Sequence, residues 1–352
     1  MRFTLHDFDL QLAFPWAVAG PRRSPGKTAA PQVFVRLEHE GQVAWGEAAP
    51  PERYGESRAS VRQFLERVDP ARLGVGDLDA VEHYLESLET GHRSAKAAVN
   101  TALVDLAARR AGRRLCDYLG LGFTEGRHVT CYSIGLDEPD ILRRKIQAAD
   151  PYPILKLKMG GDHDEETLQI VRSIAPDKWV RIDANEGWKS RELALRRLEW
   201  LAGDGRVELV EQPLPAGADP ADQVWLKERS PLPLFADESY HDENDIAPAR
   251  QGFHGVNVKL VKAGGPRAAM RALQAARGAG LQTMIGCMIE SSLLISAAAH
   301  LAELADYLDL DGSLLITNDP FRGVTADLGR LSFARAASPH GLGVQPANPS
   351  FQ

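Results

Sequence analysis

The sequence predicts an α/β fold, a closed barrel of eight strands with helices between them, joined to a smaller α+β region. Three features carry that expectation: an alternating and then helical N-terminal stretch, a change of rhythm near His128 to short β-rich runs separated by amphipathic segments, and a tail rich in Gly, Pro and Ala. Residues 1 to about 47 alternate apolar and polar positions, as in Val33-Phe34-Val35-Arg36-Leu37. With Gly41 and Gly46 read as turns, this is the pattern of an antiparallel sheet. Helical spacing follows in Ser57 to Val68, Leu78 to Leu88 and Ser94 to Ala111, where small Ala side chains allow close packing. Strands are then expected at 129–134, 154–159, 179–184, 207–211, 233–237, 255–260, 282–289 and 307–311. Such a βα rhythm over roughly 200 residues fits a closed barrel better than an open sheet. No GxGxxG follows a strand to mark a dinucleotide site. The expected divisions are a capping region at 1–125, the barrel at 126–327, and a tail at 328–352 that returns onto the capping region.

Composition narrows the function classes. The chain has 352 residues, 41 Lys plus Arg against 48 Asp plus Glu, and a net charge of −7, so it offers no basic surface for a phosphate backbone. Even the apolar run from Met284 to Ala305 is broken by Glu290, Ser291, Ser292, His300 and Glu303, too often for a membrane span of about 20 apolar residues. The first ten residues carry two Asp where a signal peptide needs an apolar stretch. Cys116, Cys131 and Cys287 are too few and too scattered for a disulfide framework or a CxxC site, which fits a reducing cytoplasm. The expected partner is a small molecule, not nucleic acid or membrane, and the sequence permits a homo-oligomer.

Barrel enzymes place their chemistry where strands end, and nearly every expected strand here ends in a charged residue. Period-2 alternation puts Lys156 and Lys158 on one face, with Leu155 and Leu157 on the other. Asp183, Glu211 and Asp237 close three successive strands, and three converging carboxylates repel one another unless a cation joins them. An oxygen-only donor set favours magnesium, with manganese as the alternative, over zinc. Each carboxylate alone could be a helix cap; three in register point to a metal. Burial and a neighbouring cation both disfavour charged lysine, the arrangement expected of Lys158 beside Lys156. Lys259, four strands round the ring, falls on the opposite wall, so two bases face each other across the metal position.

In order, these motifs resemble the enolase superfamily and its muconate-lactonizing subgroup: KxK (Lys156, Lys158), DxN (Asp183, Asn185), EQP (Glu211), ADES (Asp237) and NxK…GG (Lys259, Gly264, Gly265). The segment SAKAAVNTALVDLAARRAG resembles the helical part of that family's capping domain. The resemblance spans nearly the whole chain. It implies a TIM-like (β/α)7β barrel capped by the N-terminal region and the tail. It also implies a divalent metal on Asp183, Glu211 and Asp237, and abstraction of a proton alpha to a carboxylate to give a metal-stabilised enediolate. Lys158 and Lys259 match the acid/base positions, with Lys156 in support. Lys262, after the strand, is expected in solvent.

Asp309 and Asp311, a DxD ending the eighth strand, resemble the dipeptide epimerases, as does the following ITNDPFRGV. There the two carboxylates bind the substrate's free alpha-ammonium group. The reaction so implied is epimerisation of an L,L-dipeptide at its C-terminal residue by 1,1-proton transfer. Glu290, at the end of the seventh strand, is a further candidate substrate contact. The loop from about Trp16 to Ala30 is expected over the site, where Arg22, Arg23 and Lys27 could pair an acidic side chain while Trp16 and Tyr54 supply apolar walls. Asp162, His163 and Asp164 are expected at a helix start, and Cys287 in packing. The alternatives within the fold are an N-acylamino acid racemase, an o-succinylbenzoate synthase or a cycloisomerase. Outside it stand a Schiff-base aldolase using Lys158 or Lys259 and a non-catalytic binding barrel.

Overall fold

The computed structural model describes residues 1–18, 26–348 and 351. The N-terminal part is an antiparallel sheet of β1 (Arg2–Trp16), β2 (Lys27–His39) and β3 (Gln42–Ala48), in that order. The β2–β3 turn is Glu40-Gly41, both left-handed, the pairing that follows the right-handed twist of a two-residue hairpin. Gly46 makes no turn. It sits inside β3 against the helix α3 (Arg93–Arg110), where a Cβ would lie 1.8 Å from the Ala98 carbonyl oxygen. Its absent side chain sets how closely sheet and helix pack. Two shorter helices, α1 (Arg58–Leu65) and α2 (Leu78–Leu88), complete this unit; Ser57 and Asp77 cap them by accepting from Ser60 N and Ala80 N.

The second sheet is parallel and runs in chain order: β4 (Tyr132–Ile134), β5 (Ile154–Lys158), β6 (Trp179–Asp183), β7 (Val207–Glu211), β8 (Leu234–Ala236), β9 (Gly255–Lys259), β10 (Gln282–Gly286) and β11 (Tyr307–Asp309). One parallel bridge, Thr130 to Leu308, joins its two edges, and Leu310 N donates to Thr130 Oγ1 at 2.7 Å, so the sheet closes. A helix links each pair of successive strands, from Pro139–Ala148 after β4 to Ser292–Ala299 before β11, which makes a (β/α)7β barrel. Leu155 and Leu157 turn outward under the helices, and Lys156 and Lys158 turn into the barrel. Leu209, Phe235 and Met284, with Tyr307 against them, form a small apolar cluster of their own.

The tail returns to the N-terminal unit. Phe351 lies 5.1 Å from the Phe34 ring and 5.2 Å from that of Trp45, and Leu342 N donates to Asp105 of α3 at 2.7 Å. Among the described residues, no helix is long and apolar enough to cross a membrane.

Candidate active site

Strand register assembles the acidic residues. Lys158 pairs across the ladder with Asp183, and Asp183 with Glu211, so adjacent strands deliver their last side chains at one level. Asp237 follows β8 directly. One oxygen from each of Asp183, Glu211 and Asp237 falls within 4.8 Å of the others, and all three residues are buried. Lys158 Nζ lies 2.7 Å from Asp183 Oδ2, and Lys259 Nζ lies 2.8 Å from Asp237 Oδ2. Lys156 Nζ sits between subsites, 2.5 Å from Asp309 Oδ2, 2.9 Å from Glu211 Oε1 and 3.1 Å from Asp183 Oδ2.

Lys262 is not in solvent. The chain leaves β9 into the short helical turn Leu260–Ala263, which folds Lys262 back beneath the site with its Nζ 2.5 Å from Asp237 Oδ1 and 2.6 Å from the Asp237 carbonyl oxygen. Asp237 therefore carries two lysines. Asn257, two residues before Lys259, donates to Glu211 Oε2 at 2.9 Å, and Gly286 leaves it room, since a Cβ there would meet its amide at 2.5 Å.

Burial and lysine contacts oppose each other at every acid. Burial alone would raise Asp183, but Lys158 and Lys156 outweigh it and bring the carboxyl down to about 2. Lys259, Lys262 and Lys156 likewise hold Asp237 well below the carboxylate range against its burial. Glu211 goes the other way: burial wins over Lys156 and pushes it up to about 7. Lys259 and Lys156 are raised, because nearby carboxylates outweigh the burial that would lower them. The surrounding carboxylates therefore keep these two lysines charged in spite of their burial.

The donor set suits a hard dication. It is all oxygen, and Glu211 Oε1, Asn185 Oδ1, Glu238 Oε2 and Asn257 Oδ1 are buried at or beside it without a hydrogen bond. Lys156 stands 2.9 Å from that Glu211 oxygen, but not in hydrogen-bond geometry.

These groups open into a cavity of about 400 Å³ between the strand ends and the N-terminal unit. Asp309 and Asp311 both line it. Asp311 accepts from Ser133 N at 2.5 Å and is pushed up to about 7 by burial and by Asp309. Cys287 lines it too, 3.8 Å from Asp311. Trp16 and Tyr54 form walls, with Lys158 Nζ 5.9 Å from the Trp16 ring centre. Glu290 does not reach the cavity: its carboxylate turns back to accept from Met288 N at 3.0 Å and lies buried near Glu47. Arg22 and Arg23 lie outside the described residues. Lys27 lines the cavity but pairs with Glu52 at 2.8 Å. Asp164 begins the helix Asp164–Ile174 and holds Gly160 N and the Trp188 indole.

Comparison with known proteins agrees with this geometry. Residues 142–347 match the enolase C-terminal domain-like family, and residues 15–120 match the mandelate racemase / muconate lactonizing enzyme N-terminal domain. An L-Ala-D/L-amino acid epimerase of Pedosphaera parvula is 52% identical over 96% of this chain and 97% of its own. Among solved structures, the substrate-liganded L-Ala-D/L-Glu epimerase of Bacillus subtilis superposes with a TM-score of 0.89 at 30% identity, covering 99% of both chains. A dipeptide epimerase of Cytophaga hutchinsonii, complexed with Mg and D-Ala-L-Val, gives 0.88 at 27% identity over 99% of this chain and 96% of that one. With its paired N- and C-terminal domains and its strand-end acids, this chain belongs to the mandelate racemase / muconate lactonizing enzyme family of the enolase superfamily.

Proposed function

We propose that the chain is a dipeptide epimerase that inverts the alpha carbon of the C-terminal residue of an L,L-dipeptide. Lys158 and Lys259 are its two bases, and Asp183, Glu211 and Asp237 hold magnesium, or manganese in its place. The observation that carries this reading is the placement of the two lysines, 2.7 and 2.8 Å from different members of one buried carboxylate triad. The Pedosphaera relative's name supports the substrate class, and the Cytophaga neighbour's ligands support the metal.

One lysine, entering as the neutral amine, takes the alpha proton from one face. The other, entering as ammonium, returns a proton to the opposite face. One C–H bond of the substrate breaks as an N–H bond forms on the first lysine, and a new C–H bond forms as an N–H bond of the second breaks, so the two lysines finish with exchanged protonation states. Around them Lys156, Lys158, Lys259 and Lys262 balance Asp183, Glu211, Asp237 and Asp309 in charge. A divalent cation on the triad supplies surplus positive charge, which favours a neutral lysine and offsets the charge the substrate carboxylate gains. Asp311, beside the Lys156-bound Asp309, takes the substrate ammonium.

The cavity's outer wall favours an uncharged side chain on the inverted residue. Trp16, Pro31, Pro50, Tyr54 and Ile289 line it. Its described cations are engaged elsewhere: Lys27 with Glu52, Arg53 with Glu186 and Arg58 with Asp9. The three cysteines are free and buried, which suits a reducing cytoplasm. Incubating L,L-dipeptide pools with the protein and magnesium in deuterated water tests the proposal by mass spectrometry. Deuterium at the C-terminal alpha carbon is expected, and no exchange in any pool would overturn it.

A further inference from the structure

Three residues beside the triad have left-handed backbones although none is glycine: Asn185 at φ 43°, Glu186 at φ 64° and Gln212 at φ 35°. Residues with a Cβ hold that conformation only where their surroundings over-determine it. Here the surroundings are one continuous chain of hydrogen bonds. Glu186, three residues past Asp183, donates its N–H to the Gln212 carbonyl at 2.9 Å. Gln212, next after Glu211, donates its own N–H to the Phe235 carbonyl at 2.9 Å. The Gln212 side chain is fully buried with its amide satisfied: Oε1 accepts from Asp237 N and Ser239 N, both at 3.1 Å, and Nε2 donates to Leu214 O at 2.9 Å and Ser239 Oγ at 2.8 Å. Gln212 thus grips the backbone on both sides of Glu238 and fixes where Asp237 stands.

The chain also leaves the barrel. Glu186 is buried, and its carboxylate accepts from Arg53 Nε and Nη2, both at 2.8 Å, and from Ala216 N at 2.8 Å. Arg53 belongs to the turn Glu52–Tyr54 of the N-terminal unit, which lines the substrate cavity. Planar two-point pairing fixes direction as well as distance. Take Arg53 away and a buried carboxylate loses its only cationic partner among the described ion pairs.

We infer that Arg53, Glu186 and Gln212 form a positioning relay that sets the spacing of Asp183, Glu211 and Asp237 and ties their affinity for a divalent cation to the seating of the N-terminal unit on the barrel. None of the three is a catalytic residue; each acts through the carboxylates it places. The inference rests on the proposal that the triad holds the metal.

Calorimetric titration of MgCl2 into the metal-stripped full chain, with no substrate present, tests the relay. Loss of groups that orient metal ligands commonly costs about 10- to 100-fold in affinity. Arg53→Met and Gln212→Ala are expected to raise the Mg2+ dissociation constant about tenfold or more, with Arg53→Lys in between, because an ammonium cannot pair at two points. Arg58→Met, which changes another cavity arginine paired outside the relay, leaves the constant unchanged. Should Gln212→Ala fail to fold, Arg53→Met decides alone, since that side chain is 46% exposed. Wild-type affinity in a folded Arg53→Met protein overturns the relay. Failure of the wild-type chain to bind Mg2+ overturns the metal reading, and the relay with it.

Discussion

Replacing Lys156 by Met removes a fully buried ammonium that touches three carboxylates, at 2.5, 2.9 and 3.1 Å. Methionine fills much the same volume, so the packing loss is small and the electrostatic loss dominates. Four buried acids would then face three lysines. Leaving a buried charge uncompensated costs about 3–5 kcal/mol. Part of this is recovered because Glu211, already pushed up to about 7, takes a proton readily. At roughly 2 °C per kcal/mol for a chain of this size, the metal-free variant should melt below wild type by several degrees, with about 6–10 °C as the upper bound before that recovery. Added Mg2+ should narrow the gap, since a dication on the triad restores positive charge that Met cannot. Differential scanning calorimetry at pH 7.5, with EDTA and then with saturating Mg2+, measures both. A melting temperature within 1–2 °C of wild type in EDTA would refute the picture of Lys156 as the charge that holds the two acidic subsites together.

Three further outcomes are expected. Asp311→Asn should raise KM for dipeptides about 10- to 100-fold, the range expected when a charge-assisted hydrogen bond is lost, while Mg2+ affinity stays put; an unchanged KM would remove Asp311 from the ammonium site. L-Ala-L-Leu and L-Ala-L-Phe should exceed L-Ala-L-Glu in kcat/KM by at least about tenfold, the order of a full apolar contact against a desolvated charge, and a preference for the acidic dipeptide contradicts the apolar-wall argument. Burial raises the Glu47 carboxyl from 4.5 to about 7, against its hydrogen bonds from Ser291, with the acids Glu290 and Asp319 close by. The unfolded chain releases that proton near pH 4.5 and the folded chain near 7, so the folded state binds more protons in between. Its stability therefore falls by about 3 kcal/mol as pH rises through that window. Glu47→Gln should flatten the fall, measured as melting temperature from pH 5 to pH 8, and an unaltered slope would reject the assignment.

Alternation along strands made the triad and the lysine pairs legible, because Asp183, Glu211 and Lys158 sit on regular ladder positions where period 2 fixes the face. Beyond the last ladder bond the sequence was legible only in part: Asp237 and Asp311 line the cavity as expected, whereas Lys262 and Glu290 lie elsewhere than expected. Lys262 is spaced like a loop residue, and only the turn Leu260–Ala263 carries it back under Asp237; its apolar neighbours Val261 and Ala263 were the available signal. Glu290 lies four residues past the end of β10 at Gly286, beyond a bend in the backbone, and the Met288 amide captures its carboxylate. Gly46 looked like punctuation because a glycine in a strand marks either a turn or a close approach, and sequence does not say which. The left-handed Glu186 and Gln212 carry no local signature, since tertiary hydrogen bonds impose their conformation.

The most direct test of the two-base account follows alpha-proton exchange in deuterated water for each epimer separately, in Lys158→Ala and Lys259→Ala. If each lysine serves one face, as the account holds, each variant should lose epimerisation. Each should still exchange the alpha proton of only one epimer, and the two variants should favour opposite epimers. If either variant still epimerises at the wild-type rate, or if both exchange the same epimer, Lys158 and Lys259 do not stand on opposite faces of the reacting carbon.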